Sequence, residues 1–228
     1  MFKGYKLQIK IHQEGWIYFI VSSILTIIFF AFFPFIGIFF LVLSAYIFYF
    51  FRDPIRAIPI EDVIVSPADG LITYIGKSNA PKECNTKKQF LKISIFLNIF
   101  NVHVNRTPIN GKIKNIVYVA GKFINATLDK SSSDNERNII TIEKENKDII
   151  VVSQIAGLIA RRIVCDLKIN QQIIKGDRFG IIKFGSRVDL YLPSNYTTLV
   201  SEGQNVLGGE TIISNPNNIS IIKKTLKI

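Results

Sequence analysis

The sequence predicts a mainly β protein, a sandwich or barrel-like domain carried behind an N-terminal hydrophobic helical hairpin. Three observations predict it. Between Trp16 and Phe51 no charged residue occurs. Beyond Arg52 the chain breaks into short apolar runs separated by turn sequences, the pattern of a multi-stranded β domain. Two later segments, 172–182 and 201–213, echo each other in a hydrophobic–turn–hydrophobic form.

Residues 1–51 form the predicted anchor. Lys3, Lys6 and Lys10 precede an apolar run too long for a cleaved signal peptide, whose core spans about 7–15 residues. Pro34 and Gly37 divide it into Trp16–Phe33 and Phe35–Phe51. Each half is close to the lower limit of about 17–25 residues for a spanning helix, so the hairpin either crosses twice or dips in and returns. Lysines before it and Arg52 and Arg56 after it put both flanks on the cytoplasmic side of the cell membrane.

Residues 52–228 form the predicted β domain. Strands are expected at Val63–Val65, Leu71–Ile75, Phe90–Phe96, Ile113–Val119, Asn138–Glu143, Ile149–Ser153 and Arg161–Leu167. Pro67-Ala68-Asp69-Gly70, Pro81, Asn110-Gly111 and Glu145–Asp148 supply the turns. The polar run Asn125–Arg137 reads as a mobile loop. From Ile182 to Pro193 the chain alternates like a half-buried strand, with Val188, Leu190 and Leu192 on one face and Arg187, Asp189 and Tyr191 on the other. The echoed segments have the form of lipoyl- and biotinyl-type β elements. A carrier module would show a modifiable lysine in a methionine-rich turn, and the only methionine is Met1.

The totals restrict the chemistry. Net charge is +11, concentrated after the apolar run, which fits a face held against anionic lipid. No nucleic-acid-binding motif accompanies it. Cys84 and Cys165 lack the spacing of a zinc site or a disulfide framework, and the two histidines are His12 and His103, so no metal is expected.

Three residues carry candidate catalysis. Asp69 lies in a Ser-Pro-Ala-Asp-Gly turn, and His103 alternates with Asn101 and Asn105 on one face of its segment. Ser186 follows Gly185 at the head of a strand. Glycine there permits backbone conformations a Cβ forbids and leaves its carbonyl open to close approach. Acid, imidazole and hydroxyl supply the parts of an activated nucleophile, the carboxylate fixing the imidazole tautomer. The same three residues in a membrane-anchored serine hydrolase are the alternative. Ser186 lies outside any Gly-x-Ser-x-Gly elbow, however. A non-catalytic, membrane-tethered lipoyl-like module is a further reading.

Over nearly its whole length the chain resembles the short, membrane-anchored phosphatidylserine decarboxylases. The residues that carry the resemblance are Phe50-Phe51-Arg52-Asp53-Pro54, Ser66–Gly70, Asn101–Arg106, Asn135-Glu136-Arg137 and Phe184-Gly185-Ser186. Phe184 and Arg187 stand where longer members have the Leu and Thr of Leu-Gly-Ser-Thr. The resemblance implies that Asp69 and His103 activate Ser186 to attack the Gly185 carbonyl. Cleavage then gives chains 1–185 and 186–228, and Ser186 becomes a covalent pyruvoyl cofactor. That group would take phosphatidylserine as a Schiff base and release carbon dioxide and phosphatidylethanolamine, with His103 returning the proton. The partners implied are the lipid substrate, the membrane, and a heterodimer of the two cleavage products, alone or in a higher oligomer. Arg106, Arg187 and Lys183 are the nearby cations available for the lipid phosphate or carboxylate.

Overall fold

Pro34 makes the hairpin. In the computed structural model, which describes residues 10–84, 86, 88–121, 134–157, 162–183 and 185–216, helix α1 (Trp16–Phe32) stops just short of it and α2 (Pro34–Phe50) begins on it. A proline at the first helical position gives up no hydrogen bond, and it disfavours helical backbone at the residue before. The turn is closed by Phe33 N–H to Phe29 and Gly37 N–H to Phe33. Between the helices the Ser44 hydroxyl donates to Ser22 Oγ at 2.8 Å, and within α1 the Thr26 hydroxyl donates to the Ser22 carbonyl. Most other side chains, Ile27, Phe32, Phe35 and Phe39 among them, face outward uncovered.

The feet of the hairpin are clamped where they meet the β domain. Strand β1 (Lys10–Ile11) pairs antiparallel with β2 (Arg52–Asp53). Asp53 then accepts from Arg106 at 3.0 Å and pairs with Arg178, while Lys183 reaches Glu14 at 2.7 Å.

The β domain is built on one curled antiparallel sheet. Its strands are β4 (Gly70–Asn79), β5 (Gln89–Leu97), β7 (Gly111–Val119), β8 (Arg137–Glu143), β9 (Ile149–Ala156), β11 (Gln172–Ile173), β13 (Ser186–Pro193) and β14 (Asn205–Val206). They lie in the order β11-β7-β8-β9-β13-β5-β4-β14. A second sheet, β10-β12-β6, is made of β10 (Arg162–Cys165), β12 (Arg178–Lys183) and β6 (Val104–Arg106). Strands β3 (Ile64–Val65) and β15 (Ile212–Ser214) form a small third pair. Ile72, Ile93, Ile95, Ile140, Val152, Val188, Leu190 and Phe179 fill the common core.

Every expected strand is present: five of the seven run one to five residues longer than expected, and those expected at 63–65 and 161–167 are shorter, while Arg161 and Phe184 lie outside the described residues. So does the expected loop from Asn125 up to Ser133, while Arg137 opens β8. Each echoed segment runs strand–turn–strand, and its two strands pair with different sheets rather than with each other. The alternating stretch from Ile182 to Pro193 differs from expectation in two ways. It belongs to two strands in two sheets, divided between Lys183 and Ser186. Nor is β13 half-buried: paired to β9 on one side and β5 on the other, it buries both faces. Arg187 and Asp189 are buried as an ion pair 2.9 Å apart, with Lys92 3.2 Å from the same carboxylate.

Candidate active site at one end of the large sheet

Gly185 is the corner at which the chain leaves the small sheet for the large one. Its φ of +61° is left-handed, the region glycine enters without the cost a Cβ would impose. A Cβ built there would meet nothing within 4 Å, so conformation and not crowding calls for glycine. Ser186 follows as the first residue of β13. It is fully buried, and its Oγ has no hydrogen-bond partner among the described residues.

The candidate motifs converge on this end of the sheet because strand register brings them there. Ser186 stands opposite Ala156 on one side and Leu97 on the other. The Ala156 N–H donates to the Glu136 carbonyl, and Asn135 Nδ2 donates to the Ala156 carbonyl at 2.7 Å. On the far side of β5, Leu71 pairs with Phe96, and Gly70 lies so close that a Cβ would fall 2.2 Å from the Phe96 oxygen. Asp69 is the next residue. Two strand spacings of about 4.8 Å put its segment roughly 10 Å from Ser186.

His103 comes in from the second sheet. Its carbonyl accepts from Ile182 N–H at 3.4 Å, four residues before Ser186. The ring packs on Phe50 with centroids 4.2 Å apart and is wholly buried. Nδ1 lies 3.0 Å from the Asn101 carbonyl. A carbonyl only accepts, so Nδ1 carries the proton and Nε2 offers a lone pair. Nε2 has no partner among the described residues. Burial holds the imidazole down at about 4; the nearby Arg52 cation acts in the same direction, against the Asn101 carbonyl.

A chain of amides runs between strands neighbouring these two residues. Asn138 Nδ2 donates to Gln154 Oε1, and Gln154 Nε2 donates to Asn105 Oδ1 at 2.8 Å. Gln154 sits opposite Val188, on the face of β13 that Ser186 begins, and Asn105 is two residues beyond His103. Asn105 Nδ2 is also without a partner among the described residues. Each orphaned buried group costs about 1–3 kcal/mol, and such costs gather where chemistry needs the atom free.

Asp69 is engaged elsewhere than expected. Its Oδ2 accepts from Arg56 at 2.7 Å and its Oδ1 from the Gly208 N–H at 2.8 Å. Burial raises its carboxyl, with Arg56 and Gly208 pulling the other way. The group that sets the His103 tautomer is therefore the Asn101 carbonyl and not the Asp69 carboxylate. The three cations weighed as lipid contacts against ordinary surface charges are buried and paired: Arg106 with Asp53, Lys183 with Glu14, and Arg187 with Asp189 on the opposite face of β13 from Ser186. Asn101, Arg56 and Phe50 went unassigned in the sequence reading. Asn101 was the legible one, since it alternates onto the face of His103.

Comparison with known proteins gives the family. Residues 43–214 match the family described as phosphatidylserine decarboxylase. Proteins named phosphatidylserine decarboxylase proenzyme include one from Ehrlichia chaffeensis, 53% identical over 90% of this chain and 91% of its own. Another, from Wolbachia pipientis, is 49% identical over 94% and 95%. A third, from Pelagibacter ubique, is 48% identical over 90% and 96%.

Proposed function

The chain belongs to the phosphatidylserine decarboxylase family and is a carboxy-lyase, and we propose that it acquires this activity by cutting itself between Gly185 and Ser186. One observation carries the reading: a fully buried serine with an unpartnered Oγ, directly after a left-handed glycine whose surroundings are open. A serine directly after a left-handed glycine and outside any Gly-x-Ser-x-Gly elbow suits attack on its own preceding carbonyl, which favours this reading over the hydrolase.

Neutral His103 takes the Ser186 proton at Nε2 while Oγ adds to the Gly185 carbonyl. The peptide bond shifts to an ester, whose elimination leaves Gly185 as a carboxylate and residue 186 as dehydroalanine. Water converts that to a pyruvoyl group with loss of ammonia. The residues present fit such a group, since its carbons are those of Ser186 and the serine Oγ, which departs with the Gly185 carboxylate, has no hydrogen-bond partner among the described residues. It supplies a carbonyl that accepts electrons as a carboxylate leaves. His103 Nε2 then returns a proton to the substrate carbon that lost carbon dioxide. Asp69 is held by Arg56 and Gly208 in the segment two strands from Ser186.

The hairpin holds this site against the cytoplasmic face of the membrane, where phosphatidylserine lies. From Ile27 to Leu43 no polar side chain occurs, whereas Trp16, Tyr18, Tyr46 and Tyr49 gather at the end near the β domain. Aromatic residues of this kind mark a membrane–water boundary. Each helix of 17 residues rises about 25 Å, less than the roughly 30 Å hydrocarbon core. Both features favour a hairpin that dips in and returns.

Intact-mass spectrometry beside a Ser186→Ala variant tests the reading. Two chains split after Gly185, the smaller one lighter than its serine-ended form by one ammonia, are expected for wild type only. A single intact chain in both folded proteins overturns it.

A further inference from the structure

The segment between β5 and His103 is a turn closed on itself. Asn101 N–H donates to the Asn98 carbonyl at 3.0 Å, and Asn98 N–H donates to Asn101 Oδ1 at 2.9 Å. Phe100 N–H donates to Asn98 Oδ1 at 2.8 Å. Both asparagine side chains are thus used inside the turn, and Ile99 and Phe100 are left outside it, with Phe100 59% exposed.

A single exposed hydrophobe needs no explanation, but the position of these two does. Two bonds tie the tip to the end of α2. The Tyr46 hydroxyl donates to the Ile99 carbonyl at 3.2 Å, and Arg52 donates to the Phe100 carbonyl at 2.8 Å. Arg52 itself lies over the Tyr49 ring, 3.7 Å from its centroid. Tyr46 is four residues, about 6 Å of helical rise, inside the last residue of α2. The tip is therefore level with the aromatic end of the hairpin, and its two apolar side chains continue the uncovered surface of the helices.

We propose that Ile99 and Phe100 insert into the lipid surface at the boundary of headgroups and acyl chains, as an attachment separate from the hairpin. The inference rests on the reading of α1 and α2 as a membrane hairpin. The occupant is a phospholipid layer, because the tip is continuous with surface that already faces lipid and is flanked by an arginine and two tyrosines suited to headgroups. Insertion at this point bears on catalysis, since the same turn ends in the Asn101 carbonyl that orients His103.

Trp16 is the only tryptophan, so fluorescence can read the tip directly. The full chain carrying Trp16→Phe and Phe100→Trp is reconstituted in phosphatidylcholine–phosphatidylglycerol vesicles. Spin-labelled lipids then carry the quencher near the headgroup or near the acyl-chain end. Trp16→Phe with Leu25→Trp serves as the hairpin control, and Ile99→Trp replaces Phe100→Trp if the latter lacks the parent circular dichroism spectrum. The expected result is blue-shifted emission from the tip and stronger quenching by the shallow label. Water-like, unquenched emission from the tip beside a quenched hairpin control overturns the proposal alone. If neither tip nor control is quenched, the hairpin reading falls and the proposal with it.

Discussion

At the scale of single residues, the proposed base, His103, is excluded from water. Burial and the Arg52 cation lower its pKa to about 4 from 6.5, so the ring stays neutral where an exposed histidine would take a proton. The sign follows from comparing the two states. Between pH 6.5 and 4 the unfolded chain binds a proton here that the folded chain does not, so this group destabilises the fold as pH falls through that window. Above the window it has no such effect. For self-cleavage, the rate is expected to stay within about twofold from pH 7.5 down to pH 5, whereas a base of ordinary pKa would lose roughly thirtyfold. Following cleavage of freshly translated precursor by gel across that range checks this. An acid limb centred near 6.5 would show that the base is an imidazole of ordinary pKa, and so that burial does not hold His103 down during self-cleavage.

At the scale of elements, the hairpin and the β domain are joined at Asp53. This carboxylate receives buried Arg106, which also donates to the Pro54 and Gly176 carbonyls, and it pairs with the partly exposed Arg178. Removing one member of a buried pair strands the other charge, at a cost of about 3–5 kcal/mol. Asp53→Ala should therefore lower stability by about 3 kcal/mol in denaturant titration of the detergent-solubilised chain. Lys147→Ala, which breaks an exposed pair with Glu143, should change it by less than about 0.5 kcal/mol. Equal effects would show that the Asp53 clamp carries no load.

At the scale of the whole molecule, the proposed cut falls at a corner and not within a strand. The chain from Ser186 onward begins with β13, paired on both sides along most of its length to strands of the other product. It also supplies β14 to one edge of the large sheet and β15 to the small pair. Its buried Val188, Leu190 and Leu192 lie in the common core. The two products are expected to co-elute in non-denaturing size-exclusion chromatography and to part only in denaturant. Separation of the small chain under native conditions would contradict this account of the sheet.

Much of this was written locally. Thirty-six uncharged residues broken by proline dictate two apolar helices with a turn between them, because Pro34 ends one helix and starts the next. Strand positions followed from alternation and turn residues, and the motif residues Asp69, His103, Gly185 and Ser186 stood out in their segments. Partners were decided elsewhere. Arg187 and Asp189 look solvent-facing in sequence, yet neighbours distant in the chain bury them as a compensated pair. The Asp69 carboxylate goes to Arg56 and Gly208, and a backbone carbonyl orients His103, since hydrogen bonds depend on which strands meet. Sequence determines periodicity, breaks and chemical inventory, because these are properties of neighbours along the chain. Which buried atoms are satisfied and which left free depends on register across the sheets, and only the tertiary structure decides that.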